Sequence, residues 1–278
     1  MTVSVEHFTD PNCPVAFSAE AQRRRIDWLY GDGLDWHHRM VVIRENAEEL
    51  DKLGITPEKL AGWFEVPQRR WGMPLSLKAK SRVAVSMPAC LFYLGVARHA
   101  DPSVAARVLR QLRVWGVGGD KLIDEEPFHR EIALEVGLDP DEAIEWATEP
   151  ETEERLAVDM AAARQPKPAA RALAHRLGGG KTRYGTPSYE LSSNGETIVM
   201  PGYQPAAALE IAVANLEPGL QRRKDPGSVE EVLEWAGEPL ATAEVAAVLD
   251  VEIDEARSKL EESAASFQPG GEDGYWAL

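Results

Sequence analysis

A β-α-β order at the start of the chain constrains the fold most. Val3-Ser4-Val5-Glu6-His7-Phe8 alternates apolar and polar residues with the period of a half-buried strand. Asp10-Pro11-Asn12-Cys13-Pro14 breaks that strand, and Pro14 falls where a first helical turn tolerates a residue without an N–H. The helix is expected to run to about Tyr30, and Gly31-Asp32-Gly33 then turns the chain into a second strand, Leu34 to Ile43. Strands joined through a helix run parallel, so residues 1–43 read as one β-α-β unit with a right-handed crossover.

From about Ala47 to Leu177 the spacing turns helical, over roughly 46–53, 57–65, 76–99, 102–115, 126–136, 140–147, 151–163 and 167–177, with no strand evident. Strand character returns at Thr182 to Leu191 and Glu196 to Met200, joined by Ser192-Ser193-Asn194-Gly195, a hairpin signal. A helix from Pro205 to Leu216 follows. The expected division is an α/β domain from 1–45 and 181–218, a helical insertion at 46–180, a linker at 219–228 and a module at 229–278. Pro239 to Val251, Glu255 to Ser263 and Gly274 to Leu278 give that module the order helix, turn, helix, wing, as in a winged helix. Gly178-Gly179-Gly180-Lys181-Thr182 is like the end of a phosphate-binding loop, yet His175 stands where the first glycine belongs and a strand follows. It reads as a helix stop.

The net charge of −16 argues against a nucleic-acid partner, whose phosphates need lysine and arginine. From Asp225 onward there are fourteen acidic and two basic residues, so −12 of the −16 resides there. Carboxylates outnumber cations in Ile253 to Glu262, the stretch that a DNA-binding winged helix would present, so packing or homo-oligomerisation is the expected role. Together with the insertion, the module is a candidate cover for the cysteine site described next. No leader-like or membrane-length apolar run is seen, so a cytoplasmic protein without a membrane partner is expected. Two cysteines make no disulfide framework, and the scattered histidines offer no metal spacing.

Cys13 is the chemical candidate. The first N–H groups of a helix are unpaired and partially positive, so a sulfur there is favoured as the nucleophilic thiolate. A dithiol motif would place a second cysteine at position 16, where this chain has alanine. Cys90, on an apolar helix, reads as core rather than as a resolving thiol. His37 and His38 point to opposite faces of the second strand, and His7, His99, His129 and His175 form no constellation. Arg23-Arg24-Arg25 reads as a solvated helix face, although arginines near a thiol site would hold the carboxylates of a small thiol.

This order, with a cysteine opening the first helix, resembles the DsbA-like branch of the thioredoxin fold. That branch contains DsbA-type and FrnE-like oxidoreductases, 2-hydroxychromene-2-carboxylate isomerases and kappa-class glutathione transferases. Asp10-Pro11-Asn12-Cys13-Pro14-Val15-Ala16 matches the family's Cys-Pro-x-Cys position except at Ala16, and Tyr184-Gly185-Thr186-Pro187-Ser188-Tyr189 matches its cis-proline segment. Glu131 to Asp139 is a weaker third match. The resemblance covers about 1–218. It implies Cys13 as the catalytic residue, Asn12, Val15 and Ala16 as its helix-start context, and Pro14, Thr186 and Pro187 as the substrate-positioning residues. It implies no tightly bound cofactor but a small thiol such as glutathione as co-substrate, with a small thiol or a protein disulfide as partner. Three functions are open at this point: single-cysteine thiol–disulfide exchange, a thiol-dependent transferase or isomerase, and a non-catalytic binding scaffold.

Overall fold

A computed structural model describes residues 2–177 and 180–278 of the chain. β1 (Val3–Thr9) leads into a short helix α1 (Pro14–Ser18) and then α2 (Glu20–Tyr30). The single expected helix is thus interrupted at Ala19. Ser18 Oγ donates to the Pro14 carbonyl at 2.9 Å, a local bond that competes with regular helix geometry at this bend. A 3-10 turn at Gly31–Gly33 gives β2 (Leu34–Met40), parallel to β1 with Val3 opposite Leu34 and Thr9 opposite Met40. β2 stops short of Ile43 because Val42 takes a φ of 54°, which no strand accommodates.

Seven helices follow: α3 (Ala47–Lys52), α4 (Pro57–Trp71), α5 (Met87–His99), α6 (Pro102–Gly116), α7 (Glu126–Val136), α8 (Pro140–Ala147) and α9 (Pro150–Ala163). The expected helix 76–99 forms only from Met87, with Pro88 in its first turn. The preceding segment is held as an irregular strap, with Ser86 N–H on the Arg44 carbonyl and Asn12 Nδ2 on the Ala84 carbonyl. Tertiary hydrogen bonds here replace helical ones. The expected helix at 167–177 is instead a 3-10 turn, Pro168–Leu173, followed by β3 (His175–Arg176), which pairs antiparallel with β4 (Thr182–Arg183). The expected glycine stop falls partly outside the described residues, at Gly178 and Gly179.

The strand expected over 182–191 is cut in two, because Thr186-Pro187 is a cis peptide. After it come β5 (Ser188–Ser193), β6 (Glu196–Pro201) and α10 (Ala206–Leu216). Asn194 and Gly195 both have positive φ, 49° and 83°, as the tight hairpin between β5 and β6 requires. The main sheet has the order β2-β1-β5-β6, with β5 antiparallel to β1 and β6 antiparallel to β5. The chain therefore has an α/β thioredoxin-like fold, with the run of helices inserted between its β-α-β and β-β-α halves.

The C-terminal segment contains α11 (Val229–Ala236), β7 (Leu240–Ala241), α12 (Thr242–Leu249), α13 (Ile253–Glu261), β8 (Ser266–Gly270) and β9 (Asp273–Ala277), with β9 between β7 and β8. It has no core to itself. Val232, Leu233, Val245, Val248, Leu260 and Trp276 join Val3, Val5, Ile26, Trp28 and Leu29 in one buried cluster, and α12 packs along α2. Arg24 pairs with Glu238, Arg25 Nη2 lies 2.7 Å from Asp225 Oδ1, and Arg110 Nη1 lies 2.7 Å from Glu244 Oε1. The run Arg23 to Arg25 is therefore not a solvated face: Arg23 bridges Glu20 and Asp27 on its own helix, and Arg24 and Arg25 anchor the acidic segment. A charge pattern along one chain cannot reveal a partner two hundred residues away.

The histidines also part from expectation. Alternation along β2 does send His37 outward to Asp35 and His38 inward. There, His38 Nδ1 lies 3.1 Å from His7 Nδ1, and the His7 ring stacks on Tyr189 at 4.7 Å. Parallel pairing of β1 and β2 sets His7 opposite His38, a register that strand spacing alone does not give.

Candidate active site

Cys13 sits where β1 passes into α1, in extended backbone, and caps that helix: Ala16 N–H points at its Sγ at 3.4 Å. Ala16 is buried, and Pro14 and Val15 are half-buried. Opposite lies the cis Thr186-Pro187 segment before β5. Thr186 Oγ1 donates to Cys13 Sγ at 3.1 Å, and the thiol in turn reaches the Thr186 carbonyl at 3.4 Å. Antiparallel pairing of Phe8 with Ser188 brings the two motifs together across 173 positions of chain. The sulfur is buried, at 5% residue exposure.

Beneath it lies Asp10, which sequence reasoning quoted in the motif without a role. Its carboxylate accepts from Asn12 N–H (2.7 Å), Ser86 Oγ (3.1 Å) and Ile43 N–H (2.8 Å). Burial pushes this carboxyl up from the ordinary aspartate value, against those hydrogen bonds and Arg44. Asp10 thereby joins the cysteine loop, the end of β2 and the start of α5. Cys90 Sγ reaches Asp10 Oδ2 only at 4.0 Å, and burial followed by the nearby Asp10 charge pushes its thiol well up. A fully buried sulfur of this kind is a poor nucleophile.

Two arginines were also missed. Arg44 and Arg183 are buried, and both feel the charges of Asp10 and Cys13, while desolvation pulls each guanidinium below its ordinary value. The signal available for them was slight: a lone arginine after β2 and another directly before Tyr184-Gly185. The strap ending at Ser86 holds Asn12 and the cis-proline segment touches Cys13, while α12 of the C-terminal segment packs on α2. A cavity of about 760 Å³ opens at a different place, lined by Arg24, Arg110, Trp115, Glu238, Gly271 and Tyr275 among others, and includes no residue of the cysteine site. Among the described residues no three His, Cys, Asp or Glu side chains are grouped to hold a metal ion, and no helix is long and apolar enough to cross a membrane.

Chemically, the arrangement places two donors, Ala16 N–H and Thr186 O–H, on one sulfur. Cys13 and Cys90 are both free and buried, and no disulfide joins them.

Comparison with known proteins places the fold. No protein-family model matches the sequence, and no curated protein matches it significantly. Among solved structures, the chain is similar to a putative protein disulfide isomerase from Nitrosomonas europaea, with a TM-score of 0.57 and 13% identity over 78% of this chain and 98% of that one. It is similar to the cytosolic disulfide reductase DsbM from Pseudomonas aeruginosa, with a TM-score of 0.53 and 20% identity over 76% of this chain and 99% of that one; the reductase has also been solved with GSH. A third similar structure is a 2-hydroxychromene-2-carboxylate isomerase, with a TM-score of 0.51 and 14% identity over 77% of this chain and 95% of that one. These neighbours share the DsbA-like thioredoxin fold implied by the sequence motifs.

Proposed function

We propose that this chain is a thiol–disulfide oxidoreductase of the DsbA-like type that works through one sulfur, Cys13. The observation that carries the reading is the contact of Cys13 Sγ with Thr186 Oγ1 at 3.1 Å, which sets a helix-start cysteine against a cis-proline segment. The Cys13 thiolate attacks a partner disulfide, a Cys13–S–S–R bond forms, and the other half leaves as R–S⁻. A small thiolate then attacks the R sulfur of that bond and returns Cys13 as thiolate. Ala16 offers no internal thiol, so the second attack falls to a low-molecular-weight thiol such as glutathione. Thr186 N–H and C=O, beside Pro187, are the backbone groups available to align the partner. A reducing cytoplasm suits this cycle. The C-terminal segment, read as winged-helix-like, packs the fold rather than binding nucleic acid: its Glu244 is spent on Arg110, and α13 begins with Asp254 and Glu255.

The test is incubation of the purified protein with glutathione disulfide, followed by peptide mass spectrometry and measurement of turnover with reduced glutathione. One glutathione on Cys13, removed by excess thiol and absent in Cys13→Ser, is the expected result. Turnover that survives in Cys13→Ser would favour activation of a bound thiol, as in a transferase or isomerase. An inert Cys13 would leave a binding scaffold.

A further inference from the structure

Five arginines are buried in the described structure, and three of them have carboxylate partners: Arg25 with Asp225, Arg110 with Glu244 and Arg113 with Glu20. The other two, Arg44 and Arg183, have no ion-pair partner among the described residues, and both lie at Cys13. Arg44, 9% exposed, donates from Nη1 to the carbonyl of Asn12, the residue before the cysteine, at 3.4 Å. Arg183, 7% exposed, donates from Nη1 to the carbonyl of Tyr184, two residues before Thr186, at 2.9 Å. Each of the two motifs that meet at the sulfur thus carries one buried guanidinium.

A buried charge is costly unless it is paired. Asp10 is already engaged by Asn12, Ser86 and Ile43, so it does not serve as a bidentate partner to either guanidinium. Asp10 gives the two guanidiniums one nearby negative charge and the reacting Cys13 sulfur a second, but in a mixed disulfide that sulfur is neutral and two cations face Asp10 alone. The missing anion then has to arrive with the partner. Guanidinium groups bind carboxylate, sulfonate and phosphate oxygens through paired N–H donors, which lysine does not match.

We propose that Arg44 and Arg183 form an anion receptor beside Cys13, which selects small disulfides and thiols bearing a carboxylate, sulfonate or phosphate close to the sulfur. The proposal rests on the reading of Cys13 as the exchanging nucleophile. Cys13 S⁻ attacks one sulfur of the anionic disulfide, the S–S bond breaks, and the departing half takes the electron pair as thiolate. The half retained on Cys13 keeps its acid group on the two guanidiniums. No other oxidant or reductant is needed.

The experiment compares three disulfides of similar size with the whole protein: dianionic 3,3′-dithiodipropionate, neutral 2-hydroxyethyl disulfide and dicationic cystamine. Formation of the Cys13 mixed disulfide is followed by mass spectrometry. In parallel, Cys13 is alkylated with anionic iodoacetate and neutral iodoacetamide, each rate normalised to free cysteine, so that the thiolate fraction cancels from the ratio. The anionic reagents should lead the neutral ones by about tenfold, with cystamine slowest, and the lead should shrink with added salt. Arg44→Met and Arg183→Met should each lose most of the preference, and Arg44→Lys should keep part of it. The wild-type series decides the matter even if a methionine variant fails to fold. Equal rates for all three disulfides and both alkylating agents would overturn the anion receptor while leaving the exchange function standing. Failure of every disulfide, with alkylation still favouring the anion, would overturn the exchange function and leave the receptor.

Discussion

Replacing Thr186 by valine removes one hydroxyl and keeps the side-chain shape, so it isolates the 3.1 Å contact between Thr186 Oγ1 and Cys13 Sγ. Two donors point at the attacking sulfur, and without the hydroxyl it keeps only Ala16 N–H, at 3.4 Å. A hydrogen bond to a charged group is worth about 1.5–3 kcal/mol net. Sulfur is a weak acceptor, so we take the lower bound, which corresponds to roughly a tenfold change in rate if the bond is made to the attacking sulfur. Iodoacetamide alkylation of Cys13, read by mass spectrometry at one near-neutral pH, should therefore slow about tenfold in Thr186→Val. Thr186→Ser, which restores the hydroxyl, should recover most of the rate. Circular dichroism would establish that both variants fold. A rate in Thr186→Val equal to the wild type would refute the reasoning, since the hydroxyl would then contribute nothing to the charged sulfur.

Other consequences are as direct. Cys90→Ala should leave glutathione exchange at Cys13 intact and lower stability by about 1 kcal/mol, because a buried small apolar group is all that is removed; loss of exchange would mean that Cys90 resolves the mixed disulfide. Glu244→Gln should destabilise the fold by about 3 kcal/mol in urea titrations at neutral pH, since it removes the buried partner of Arg110 and leaves only the more exposed Glu238, at 3.4 Å. Burial alone would raise the Glu244 carboxyl, but Arg110 and then Arg24 hold it below the usual carboxylate range. Its contribution is therefore complete above the unfolded carboxylate value and is lost as pH falls through the folded one, so variant and wild type should converge in acid. The pair of buried His7 and half-buried His38 gives a second pH dependence. Burial, then the neighbouring positive groups, lower both rings, His38 to about 3, so the unfolded chain takes up protons that the folded one refuses. Stability should fall by up to about 1.4 kcal/mol per pH unit per histidine as pH drops from roughly 6.5 toward 3. His38→Gln should flatten that slope in urea midpoints measured across the range, and an unchanged slope would show that the rings are not held neutral.

The strands, the paired motifs and the lone cysteine were legible in the sequence because local patterning fixes them. Alternation marks β1, Asn194-Gly195 marks the hairpin, and Pro14 marks the helix start. These are short-range preferences, and each of them survives in the folded chain. What tertiary structure decided was pairing at a distance. Apolar spacing predicts a helix at 76–86, yet hydrogen bonds to Asn12 and Arg44 make that segment a strap. Charge patterning predicts a solvated arginine run and a separate acidic tail, yet the two neutralise each other across a shared core. Asp10, Arg44 and Arg183 looked unremarkable one by one, and they became part of a site only when β1 met β5 and brought residues more than 170 positions apart around one sulfur. Sequence records which groups a chain owns and the local geometry they favour. Burial and counter-charge, which decide how those groups react, are properties of neighbours that only the fold supplies.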